Sequence, residues 1–124
     1  MTPTTSNFDF IARRFPDIFR AAKEAEVQVF TKSVTSGIYC RQAMEWLVNW
    51  VYEADSDYEL PYQNTLAAKL RTDAFQRDVS PSIIRELEMI RRVGNNAVHN
   101  GKVNSNEALA AVKFLFHFCQ YVVR

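Results

Sequence analysis

Apolar residues in this chain recur at three- and four-residue spacings through one segment after another, and the residues that interrupt helices fall mostly between those segments. The sequence holds three glycines and four prolines, and it lacks the period-two alternation of β-branched residues that marks strands. An all-helical fold follows. PDIFRAAKEAEVQVFT, residues 16–31, carries Ile18, Phe19, Ala22, Ala25, Val29 and Phe30 on one side, with Arg20, Lys23, Glu24 and Glu26 mainly on the other. Pro16 suits the first turn of that helix. Ahead of it, Phe8, Phe10, Ile11 and Phe15 predict a short helix that the proline ends.

Residues 33–54, SVTSGIYCRQAMEWLVNWVYEA, begin among Ser and Thr residues able to cap a helix. They then present a wide apolar surface of Ile38, Met44, Leu47, Val48 and Val51 flanked by Trp46 and Trp50, which predicts the central helix. A polar connection follows over residues 55–82, with Pro61 and Pro81 as breakers and short helical turns around Leu66–Leu70 and Ala74–Arg77. A connector of that length is a candidate contact surface. The next helix starts at Ser80 with Pro81 in its first turn and stops at Asn100-Gly101; Ile83, Leu87, Ile90, Gly94, Ala97 and Val98 form its core face. Asn104 and Glu107 have the spacing of a capping box that opens the last helix. The expected fold is an up-and-down bundle of four main helices with short helical turns, one domain over residues 7–124 behind a flexible terminus over residues 1–6.

A chain of 124 residues suits a single core. Its formal net charge of +1 means that any basic surface must be local. Cys40 and Cys119 stand in apolar runs without metal-type spacing, which predicts buried reduced thiols. No apolar run reaches membrane-spanning length, and MTPTTSNFDF has neither the basic nor the apolar region of a secretion signal. The expected compartment is the cytoplasm.

RRVGNNAVHN, residues 91–100, concentrates two arginines, three asparagines and a histidine. On a helix, Arg92, Asn95 or Asn96, and His99 stand three, four or seven positions apart, so they line adjoining turns. Gly94 amid them predicts close approach of a neighbouring helix. Arg41 and Glu45 are spaced for an ion pair on the central helix; if their stripe faces this one, Arg41, Glu45, Arg91, Arg92, Asn95, Asn96 and His99 form one structural or contact network. His117, on a stripe with Lys113 and Gln120, is expected at the surface. An imidazole can exchange a proton near neutral pH, an arginine can neutralise phosphate and an asparagine can orient either, a combination that suits metal-independent RNA cleavage. It equally suits phosphate binding without chemistry. The spacing does not choose.

Arg92 and His99 resemble the Arg-x(4-6)-His signature of HEPN domains, small helical bundles found in prokaryotic toxins and defence nucleases. That resemblance implies a dimeric ribonuclease with His99 as acid or base, Arg92 as phosphate stabiliser and Asn95 and Asn96 beside them; in many active members an asparagine directly follows the arginine, whereas Val93 does so here. A wider resemblance runs through SNFDF (6–10), the Arg41-to-Glu45 spacing, LPYQNTLAAKL (60–70), IRRVGNNAVHN (90–100) and ALAAVKFLFHFCQYVVR (108–124). Together these stretches resemble the N-terminal region of type I restriction enzyme R subunits. In that family an HEPN-like helical domain precedes a metal-dependent DNA nuclease and an ATP-driven translocase. The resemblance implies a non-catalytic accessory module, an N-terminal fragment of an ATP-dependent deoxyribonuclease. Its partners would be the methylase and specificity subunits, other domains of its own subunit, or the DNA backbone. ATP and magnesium would belong to the rest of that parent protein. The chain itself contains no G-x-x-x-x-G-K-[ST] phosphate loop and no acidic constellation with an associated lysine.

Overall fold

The computed structural model describes residues 5–123. A 3-10 turn at Asp9–Ile11 leads into α1 (Pro16–Val27), α2 (Ser33–Ala54), the short α3 (Leu66–Leu70) and α4 (Asp73–Asp78), then α5 (Pro81–Asn100) and α6 (Ser105–Val122). Among the described residues there is no strand. The long helices pack in the cyclic order α1, α2, α5, α6, with α2 and α6 also in contact across the diagonal. Each neighbour runs antiparallel to the last. Phe15 meets Trp50 edge to face while Ser36 bonds to Ala25; Gly37 faces Ala97 while Arg41 faces Gly94; His117 reaches Glu86. The predicted four-helix, up-and-down architecture is present.

Local chemistry accounts for the boundaries. Pro16 and Pro81 occupy first turns, and Ser80 accepts the Ile83 N–H at 3.4 Å. Gly101 ends α5 with φ of 61°, a left-handed conformation in which its N–H reaches the Asn96 carbonyl. Asn104 and Glu107 form the full capping box, with bonds of 2.8 and 3.1 Å. The start of α2 differs from expectation: no side chain caps it. Ser33 instead donates its hydroxyl to the Val103 carbonyl at 2.5 Å, tying α2 to the α5–α6 turn. The segment ahead of Pro16 forms only a three-residue 3-10 turn, and α1 stops at Val27. Of the expected loose terminus, residues 1–4 lie outside the described residues, while Ser6 donates to Glu26 at 2.7 Å.

The core runs the length of the bundle. Met44 and Leu47 of α2, Leu87 and Ile90 of α5, and Leu115 and Phe118 of α6 are buried almost completely, with Phe8 and Ile11 closing one side. Several buried positions are small: Ala22, Ala25, Ala43, Ala108 and Ala111 let the backbones approach. Some expected core residues are not core. Phe30 is 73% and Val98 59% exposed, Ile38 is exposed, and Ile83 is only partly buried, whereas Ile84 and Val93 take the inner face of α5. Trp46 is 39% exposed, and Trp50 lies partly buried against the core. The two expected core residues of α5 that are not buried, Ile83 and Val98, stand in its first and last turns.

The connector between α2 and α5 is a packed layer rather than a loose strap. Leu66, Leu70, Phe75 and Val79 are buried. Tyr52 donates its hydroxyl to the Lys69 carbonyl at 2.5 Å, and the buried Lys69 ammonium donates to Asn49 at 2.6 Å. Thr65 and Thr72 cap α3 and α4. Among the described residues no helix is long and apolar enough to cross a membrane.

Candidate functional site

The outer face of α5 is built by a seven-residue recurrence. Arg85, Arg92 and His99 stand seven apart, with Met89 and Asn96 between them, and all five are exposed. Seven residues are nearly two turns, so the three basic side chains stand one above another at intervals of about 10 Å. None of the five is acidic. Among the described residues no hydrogen bond or ion pair engages Arg85, Arg92 or His99. Asn96 accepts from Asn100 at 3.3 Å.

The acidic side chains of α5 are turned to its flanks and held there. Glu88 receives Arg91 through two contacts, at 2.9 and 3.1 Å, and also faces Arg71 at 3.6 Å. Arg91 is 17% exposed, so its charge is paired within the fold. Glu86 binds His117 at 2.8 Å on the opposite flank, which gives that surface histidine a fixed partner on α5. With its carboxylates drawn aside, the stripe between them keeps an uncompensated positive character.

Charge divides unevenly along the whole chain in the same sense. Residues 81–124 hold six Lys and Arg against three Asp and Glu, a balance of +3; residues 1–80 hold nine against eleven, a balance of −2. The small net charge of the chain therefore conceals a basic C-terminal half of the bundle.

The structure joins only part of the network expected from sequence. Arg41 and Glu45 pair at 3.3 Å. Arg41 lies over Gly94, where a Cβ would come within 2.4 Å of both its Cβ and its Cδ, so the aliphatic stem of Arg41 occupies the space a side chain would take. That is the close approach predicted for Gly94. Asn95 is partly buried, and among the described residues no hydrogen bond links Arg92, Asn95 or His99 to the Arg41–Glu45 pair. Arg91 turns toward Glu88, away from the stripe. Arg85 was missed by sequence reading because it lies outside the dense RRVGNNAVHN run; the seven-residue interval to Arg92 was the available signal.

Four surface clefts lie elsewhere: a broad one of about 790 Å³ beside Ser82, Ile83 and His117, one of about 400 Å³ between Phe30 and Phe116, and two along α1 and α2. Arg92 and His99 line none of these four. Among the described residues, no group of three or more His, Cys, Asp or Glu is placed to hold a metal ion. Cys40 and Cys119 are buried; burial pushes the Cys119 thiol up to about 12 and raises that of Cys40 further. Neither is poised as a nucleophile.

Fold and surface thus define a small antiparallel helical bundle with an open basic stripe on one long helix. The chain belongs to the family described as Domain of unknown function (DUF4145), whose model matches residues 23–124, from within α1 through α6. No curated protein and no solved structure matches it.

Proposed function

We propose that this domain is a non-catalytic accessory module of a DNA-restriction assembly of the type I R-subunit kind, and that the outer stripe of α5 contacts the DNA backbone. The observation that carries this reading is the row Arg85, Arg92 and His99, aligned over about 20 Å of helix and free of carboxylate partners. Arginines free of intramolecular salt bridges can give their full charge to phosphates, displacing counterions from the polyanion. Asn96, on the same stripe, adds a neutral hydrogen-bonding group that positions a backbone without reading bases.

Contact is favoured over chemistry by the surroundings of His99. A general base works best when a second group fixes its tautomer and a cavity excludes water from the reacting atoms. His99 stands exposed at the last turn of α5, with no orienting hydrogen bond among the described residues. The nuclease and translocase activities of such an assembly, with their magnesium and ATP, would reside outside this domain. Methylase and specificity subunits would be its neighbours in the complex.

Metal-free incubation with single-stranded RNA tests the division between contact and catalysis. Wild-type protein and His99→Ala are both expected to leave the RNA intact while both remain folded. Cleavage that co-purifies with the wild type and disappears in His99→Ala would instead establish a HEPN-type ribonuclease using Arg92 and His99.

A further inference from the structure

The two carboxylates that flank the α5 stripe are neutralised by different means. Glu88 is held by the Arg91 and Arg71 guanidiniums, which stay charged at any pH the protein meets. Glu86 is held by the His117 imidazole at 2.8 Å, so its charge is cancelled only while that ring carries a proton. The other histidine of the chain, His99, stands in the stripe itself, exposed and without a hydrogen bond or ion pair among the described residues. Formal net charge is +1 with both rings neutral and +3 with both protonated, and the added charge falls beside one helix. Around His117 stand Lys113, one turn back on α6, and Glu26 of α1, which lines a cleft with the ring and accepts from the Ser6 hydroxyl and the Asn7 N–H. At the end of the bundle where His99 stands are Arg92 on the stripe, Lys102 after α5, Lys32 ahead of α2, Glu107 in the α6 capping box and the Arg41–Glu45 pair on α2. Neither of those acids pairs with His99.

Resting on the reading of this stripe as a phosphate contact, we propose that its grip on the polyanion is linked to protons: protonation of His99 adds a third contact to those of Arg85 and Arg92, and protonation of His117 cancels the Glu86 charge on the flank. The two rings act differently. A protonated His99 lies in line with the arginines and displaces a counterion as they do, so it raises both the affinity and the steepness of its salt dependence. His117 is turned to Glu86, and its proton removes a repulsion without adding a contact. Each proton favours the bound state, so affinity is greatest below the range in which histidine titrates and is lost as pH rises through it. Arg85 and Arg92 keep their charge throughout, so the stripe weakens at high pH without letting go.

Fluorescence anisotropy of a labelled DNA duplex tests this, with the same salt series run at about pH 5.8 and about pH 8, on either side of the histidine range. For the wild type, the slope of log affinity against log salt is expected to be steeper by about 0.9 at the lower pH, with binding roughly tenfold tighter. His99→Gln should remove the difference in slope. His117→Gln, which can still donate to Glu86 but carries no charge, should keep the difference in slope and lose part of the gain in affinity. The double variant should bind alike at both pH values, and circular dichroism at each pH checks that every variant is folded. Salt-dependent binding that ignores pH, a slope difference that survives His99→Gln, or a pH effect that survives the double substitution would overturn the proposal while leaving the phosphate contact standing. Absence of salt-dependent binding at both pH values would overturn the phosphate contact, and the proton linkage with it.

Discussion

At the scale of single residues, Gly94 lies directly beneath the stem of Arg41. Ala at position 94 would gain about 1 kcal/mol of helix propensity, but its Cβ would overlap a part of Arg41 that cannot swing away, and such overpacking costs about 1–3 kcal/mol. Gly94→Ala is therefore expected to lower stability by up to about 2 kcal/mol in urea unfolding. A gain would mean that α2 and α5 do not approach so closely. The buried thiols make a second residue-level prediction. An ordinary cysteine ionises near 9, whereas Cys119 is held up to about 12 and Cys40 is raised as well. Below pH 9 both thiols are neutral in either state and their contribution is intact; between 9 and 12 the unfolded chain ionises first, so stability falls as pH rises. Replacing both by Ala should flatten the loss measured between pH 8.5 and 10.5, leaving the part due to Tyr52 and Tyr58, which are also raised. An unchanged slope would show that the thiols are already ionisable in the folded protein.

At the scale of elements, helix ends were legible because capping chemistry is local. Pro81, Gly101 and the Asn104–Glu107 pair act within a few residues of themselves, and each stands where its spacing placed it. Asn104→Ala should cost about 1 kcal/mol. The check is a lowered urea midpoint with an unchanged denaturant slope; no shift would mean that Ser33 and Val103 alone secure the turn. Faces were less legible than ends. An apolar residue such as Val98 or Phe30 fits a periodic pattern whether or not a neighbour covers it, and both stand exposed, Val98 in the last turn of α5 and Phe30 beyond the end of α1. The connector was harder still, since its buried Leu66, Leu70, Phe75 and Val79 are spread among polar neighbours, and Phe75 meets Tyr52 and Tyr58, more than ten residues away. The site was half legible. Arg92, Asn96 and His99 share an exposed stripe as their spacing implied, while Arg91 belongs to Glu88 through a pairing on the flank of the same helix.

At the scale of the whole molecule, charge divides between residues 1–80, with a balance of −2, and residues 81–124, with a balance of +3 that includes the α5 stripe. The central claim is that the α5 stripe meets phosphate. The most direct test is binding of a duplex DNA by fluorescence anisotropy across a range of salt concentrations, since each phosphate contact adds about 0.9 to the slope of log affinity against log salt. Wild type should bind with a steep salt dependence, and Arg85→Ala with Arg92→Ala should weaken binding and reduce the slope by about 2. Arg91→Ala should leave the slope unchanged, because Glu88 already holds that charge. Salt-independent binding, or a slope that Arg91→Ala lowers and the Arg85 and Arg92 changes do not, would contradict the assignment.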